Sequence, residues 1–150
     1  MQAGPDVIDI TDPADPRAAR ADVELRLPAD GAYVSVLRTM TAGLAARLDF
    51  TIDDIEDLRI AVGEACALVL AEADPGTSLE AEFHLAPAEL VVGVSVAASS
   101  PVTLDQDSFA WQVLTTLASD AVVESTGGRF SLRMTMTSSL ADLPAPGSDA

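Results

Sequence analysis

The chain of 150 residues has no lysine and only one cysteine, one histidine, one tryptophan and one tyrosine; eight arginines are its only strong bases. A lone Cys66 closes no internal disulfide, which fits a reducing compartment and leaves burial to hold the fold together. It sits beside Ala65 in an apolar run and reads as a small core residue. One histidine, His84, and no cysteine cluster supply no metal-ligand set, so no metal site is expected. Against the eight bases stand 24 acids, for a formal charge of −16. Such a surface repels nucleic acid and anionic lipid, which argues against direct DNA binding and points to a basic protein partner. No apolar run approaches the ~18 to 20 residues of a membrane span, and Met1 to Asp6 lacks the basic and apolar regions of a signal peptide. These absences predict a cytoplasmic protein with no membrane attachment.

What the sequence does have is hydrophobic side chains, 49% of the total, enough for one domain with a core and cramped for two. Residues 1–20 and 139–150 are rich in Asp, Ala and Pro without period and read as flexible tails around a domain at 21–138. The domain is organised around Thr51 to Leu70. Thr51 followed by Asp54 makes a capping-box-like start, Asp53, Asp54 and Glu56 suit the positive end of a helix dipole, and Ile55, Leu58, Val62, Ala65 and Val69 form one apolar stripe. Glu64 falls late in this helix and is read on its solvated face or at the edge of the stripe.

Around this helix the periodicity predicts further elements in the order β-α-α-β-β-α-β-β. Val23 to Leu27 alternates as a half-buried strand, and a helix from near Asp30 carries Tyr33, Leu37, Met40, Leu44 and Leu48, with Arg38 projecting beside that stripe. Leu79 to Leu85 and Leu90 to Val96 alternate cleanly and form a hairpin across Ala86-Pro87-Ala88-Glu89, His84 lying on the polar side with Glu80 and Glu82. A third helix capped by Asp105 or Asp107 presents Phe109, Val113 and Leu117 on one face with Trp111 and Leu114 beside it, and a final hairpin turns at Gly127-Gly128. Five strands with one polar face each predict an α+β two-layer sandwich, a mostly antiparallel five-stranded sheet with helices on one face.

Leu48-Asp49 followed by Asp54-Ile55-Glu56-Asp57-Leu58-Arg59-Ile60-Ala61-Val62-Gly63-Glu64-Ala65-Cys66 resembles the second-helix motif of the RsbW/SpoIIAB anti-sigma factors, which have the histidine-kinase-like ATPase fold. The resemblance spans about Val23 to Thr137, and Ser108 to Ala118 is similar to the UsfX-like anti-sigma F branch. In active members the motif Glu-Ala-x-x-Asn supplies a polarising Glu and an Mg²⁺-holding Asn. Here Glu64-Ala65 matches, whereas Leu68 holds the Asn position and offers no oxygen. Val96-Ala97-Ala98-Ser99-Ser100 stands where the family reads adenine with Asp-x-Gly-x-Gly, and no glycine lies between Gly93 and Gly127 to form a phosphate lid. The resemblance, with these departures, implies a degenerate nucleotide site with no cofactor, no catalytic residue and a vestigial Glu64. It implies an anti-sigma factor that sequesters a sigma factor and is released by an anti-anti-sigma protein, with a homodimer paired through the first helix and its neighbouring strand. The alternative is an active serine/threonine kinase using ATP and Mg²⁺. Aligned backward from Glu64-Ala65, Arg38 falls where SpoIIAB-like proteins carry an arginine that contacts both partners.

Overall fold

A computed structural model describes residues 20–142; the expected tail at 1–19 and the end of the chain from 143 lie outside that range. Strand β1 (Val23–Pro28) leads through a 3-10 turn (Gly31–Tyr33) into helix α1 (Val34–Arg47), then α2 (Ile52–Leu70), the hairpin β2 (Ser78–Ala86) and β3 (Glu89–Ala97), helix α3 (Phe109–Leu117), and the hairpin β4 (Asp120–Thr126) and β5 (Arg129–Thr137). The five strands form one antiparallel sheet in the order β1-β2-β3-β5-β4. Helix α2 lies on this sheet against β3 and β5, and α1 and α3 flank it. The expected α+β two-layer sandwich is the fold.

Local chemistry sets the element ends. Thr51 and Asp54 form a reciprocal capping box, and Asp49, in the left-handed region at φ 62°, stops α1. Gly127 and Gly128 both have positive φ, which the tight β4–β5 turn requires and glycine supplies without strain. The core joins the two layers: Leu58, Ala61, Val62, Ala65, Cys66 and Val69 from α2 are buried against Phe83, Val92, Val94, Leu132 and Met134 from the sheet.

Four expectations require correction. Leu37 is buried and Met40, Leu44 and Leu48 pack half-buried on the core as expected, but the most deeply buried line of α1 also takes in Val34, Thr41 and Ala45, and Tyr33 is exposed. That rotation becomes tolerable because the Thr41 hydroxyl donates to the Leu37 carbonyl at 2.7 Å and so enters the core satisfied. Helix α3 is capped by Ser108, whose Oγ accepts from Trp111 N, while Asp105 instead holds the preceding turn by accepting from Asp107 N. Its inner face is Leu114 with Trp111 and Leu117, and Phe109 is 79% exposed. Finally, Ser139–Asp142, assigned to the tail, form a 3-10 turn.

That last turn is tied to the start of α2. Ser139 donates from its backbone N and its Oγ to Asp54 Oδ2, both at 2.9 Å. Burial on its own pushes the Asp54 carboxyl up, but the hydrogen bonds from Ser139 and Thr51 prevail and hold it below its ordinary value of 3.8. A folded pKa below the unfolded one gives stability that is present above about pH 4 and lost as the pH falls through the folded value. Asp54→Ala should therefore cost about 1 kcal/mol or more in denaturant unfolding at pH 7, and the gap from the parent should shrink near pH 2. A gap that persists unchanged at that pH would show that the carboxylate is not the source.

Candidate functional site

Two regions carry the residues singled out in the sequence, one on each side of α2. On the α1 side, Arg38 is partly buried and lies across α2 at Gly63: a Cβ built on Gly63 would sit 3.2 Å from Arg38 Nη1 and 3.8 Å from its Cδ. Glycine inside a helix costs up to about 1 kcal/mol relative to alanine, and here it gives the guanidinium a place to lie flat. Among the described residues Arg38 has no acidic partner within ion-pair distance. An arginine stem that covers apolar surface and leaves its fork of donors unspent is suited to gripping a carboxylate from outside. Arg47 is exposed in the last turn of α1, where its charge suits the negative end of the helix.

Cys66, one turn beyond Gly63, is fully buried. Burial pushes its thiol up to about 12, against a smaller downward pull from the nearby Arg38 guanidinium. Buried and held protonated, this thiol presents no thiolate to solvent and is packed as a core side chain.

On the α3 side, Leu68 lines a cavity of about 250 Å³ between the second half of α2 and the segment leading into α3, together with Ala67, Val102, Leu104, Ala110 and Phe130. This is the place where the matched motif would put a nucleotide and its Mg²⁺. The lining does not fit them. No lining residue is basic, and the acids that reach the cavity, Glu72 and Asp105, would repel a phosphate chain. Among the described residues no three His, Cys, Asp or Glu side chains converge to hold a cation. Glu64, one turn before Leu68, is partly buried and does not line the cavity. At the end of β3, Ser99 donates from N and Oγ to Asp74, at 3.0 and 2.6 Å, and these bonds, the hydroxyl's first, hold the Asp74 carboxyl below its ordinary value. The segment aligned with the adenine-reading loop is therefore engaged in bracing the turn after α2.

Helix α2 thus keeps Arg38 and Leu68 apart, on different flanks. Sequence reasoning missed Gly63 as the seat of Arg38. An isolated glycine in the middle of a helical pattern was the available signal, because such a glycine often has a packing reason.

The burial of Cys66 predicts its reactivity. Ellman's reagent at pH 8 should leave the native thiol unmodified over an hour and should titrate one thiol per chain once the protein is unfolded in guanidinium. Rapid stoichiometric reaction of the folded protein would overturn this description of the α1–α2 interface.

No protein-family model matches the chain. The serine-protein kinase RsbW of Halalkalibacterium halodurans is 39% identical over 88 residues, which are 58% of this chain and 52% of that protein. The RsbW proteins of Bacillus velezensis and Bacillus thuringiensis are 50% identical over 44 residues and 43% identical over 51. The first alignment thus spans about half of that relative, and the other two span 28% and 32% of theirs. Among solved structures, the crystal structure of the RsbU and RsbW domains of Rv1364c from Mycobacterium tuberculosis superposes with a TM-score of 0.59 over 77% of this chain and 31% of that one. Its sequence identity is 15%, so this likeness concerns the fold. No helix among the described residues is long and apolar enough to cross a membrane. Through part of its length the chain is similar in sequence to RsbW serine-protein kinases, and through most of its length it has the fold of an RsbW domain.

Proposed function

We propose that this protein is an anti-sigma factor that works by binding: it sequesters a sigma factor and is released when an anti-anti-sigma protein competes for the same surface. The observation that carries this reading is Arg38, a partly buried guanidinium laid over Gly63 with no acid paired to it among the described residues, on the flank of α2 away from the cavity at Leu68. A partner carboxylate would meet a preorganised, bidentate donor there. The net charge of −16 supports fast encounter with a basic partner, an effect on rate more than on affinity. Carried over with the resemblance, the protein acts in the cytoplasm as a homodimer and binds no nucleic acid directly. The likeness of Ser108 to Ala118 to the UsfX-like branch supports the same reading.

A second reading is an active kinase toward the anti-anti-sigma partner. The names of its relatives and the retained Glu64-Ala65 favour it; the acidic, largely apolar cavity at Leu68 argues against it. Calorimetry separates the two. With ATP and Mg²⁺ at tens of micromolar protein no saturable heat is expected, and a micromolar dissociation constant would put the kinase reading first. For the binding reading, the tagged protein expressed in its source cell should co-purify with a sigma factor identified by mass spectrometry. With that sigma factor in hand, Arg38→Ala should keep the fold and weaken binding by about 2 kcal/mol, roughly thirtyfold. Arg47→Ala and Arg59→Ala serve as charge-matched controls. Equal binding by all three variants, within about threefold of the parent, would place the partner surface elsewhere.

A further inference from the structure

The cavity between α2 and α3 is unsuited to a nucleotide, and the features that exclude one select another kind of ligand. Its walls are apolar: Ala67 and Leu68 from α2, Val102 and Leu104 from the segment before α3, and Ala110 from α3. Phe130 of β5, 1% exposed, closes it toward the core. Ala67 and Thr103 in the same lining are exposed, so the cavity opens to solvent as a half-covered groove. Apolar groups that enter it leave water and gain contact with these walls.

The polar groups around the groove are mostly spent. Val102 N donates to Ser125 Oγ at 3.0 Å, Ser108 Oγ accepts from Trp111 N, and Asp105 Oδ1 accepts from Asp107 N at 2.9 Å. What remains is chiefly negative acceptor capacity: the second oxygen of Asp105, and Glu72, whose carboxylate has no ion-pair partner among the described residues. Both acids are exposed and so belong to the mouth of the groove. A carboxylate accepts hydrogen bonds and donates none, so a polar group bound beside these two has to bring the hydrogen and, next to two negative charges, a positive charge as well.

From these observations we propose that the groove is a binding site for a small organic cation, an ammonium on an apolar stem. The stem lies against Leu68, Ala110 and Phe130, and the ammonium sits at the mouth with Glu72 and Asp105. At roughly 30 Å³ for each water-sized group, the volume of about 250 Å³ takes about eight such groups, the size of a hexylammonium or phenylethylammonium ion. A hard metal cation is a poorer match, because it wants several oxygen ligands and no three acidic, histidine or cysteine side chains converge among the described residues. An anion is repelled, and a neutral apolar molecule leaves both carboxylates unused. The groove is on a different flank of α2 from Arg38, so this ligand and a partner held at Arg38 use different atoms. The inference goes beyond the proposed function and does not depend on it.

Three probes of similar shape test it on the full chain at pH 7 and 0.15 M salt: 2-phenylethylammonium, 2-phenylethanol and 3-phenylpropionate, titrated by ligand-observed NMR. The ammonium should bind saturably with a dissociation constant of about 1 mM or below. The alcohol should bind at least about fivefold more weakly, and the carboxylate should show no saturation. Glu72→Gln/Asp105→Asn should weaken the ammonium by at least about fivefold and leave the alcohol unchanged. Ala67→Leu, which fills the groove from an exposed helix position, should abolish binding of both, with unchanged far-ultraviolet circular dichroism in every variant. Three results would each overturn the proposal. Equal affinity for ammonium and alcohol would mean that the groove takes apolar groups without regard to charge. Undiminished ammonium binding in Ala67→Leu would put the cation elsewhere on the acidic surface, and no saturation with any probe would mean that the groove is not a binding site. Failure to co-purify a sigma factor bears only on the proposed function.

Discussion

Helix α2 has to bury one face against the sheet while both its flanks pack against other helices, and the remaining architecture follows from that constraint. Half of its inward residues are small: Ala61, Ala65 and Cys66 are interspersed with Leu58, Val62 and Val69. Small side chains let the helix axis come close to β3 and β5, and the larger ones fill the spaces beside Phe83, Leu132 and Met134. A helix held this way cannot slide or rotate without opening cavities along its whole length. Its start is fixed further by the capping box and by the Ser139 tether to Asp54, which joins the first turn of α2 to the end of the last strand.

The rigid central helix explains how the two candidate regions stay separate. Residues 63 and 68 are little more than one turn apart in sequence, but they point to opposite flanks. Gly63 receives Arg38 from α1, and Leu68 faces the segment that leads into α3. The side chains lining the cavity on one flank can therefore vary without a structural penalty on the other. The apolar lining at Leu68 packs adequately without a ligand, and the arginine seat does not depend on it. In this architecture the two flanks can carry different chemistry, because fold and site are separable.

The electrostatics are uneven in the same way. A formal charge of −16 is spread over the chain, but three of the described arginines sit in chosen places: Arg38 over Gly63, Arg129 in a bridge to Glu80 and Ser95, and Arg133 opposite Gly93 in the sheet. With so few cations, each guanidinium without an acidic partner among the described residues is a local exception to the prevailing field and a natural place for a carboxylate to dock.

The sequence by itself determined the elements and their order. Thr51 with Asp54, Asp49-Phe50, the Pro87-Ala88 link and Gly127-Gly128 are local signals, and strict alternation in β2, β3 and β5 fixes which side chains face the core, because a strand's period of two leaves no other choice. It also gives residue 68 an apolar side chain with no oxygen to offer, since that follows from residue identity alone. Only the tertiary structure decided the rest. The buried side of α1 turned toward Thr41 and Ala45 because a neighbouring helix sets rotation, and a helix with apolar residues on several sides does not specify it. The seat of Arg38 joins residues 25 positions apart through the α1–α2 packing, and no spacing rule reads that. His84 alternated onto the polar face as expected, yet it is buried there, because exposure depends on what covers a face and alternation records only which face it is.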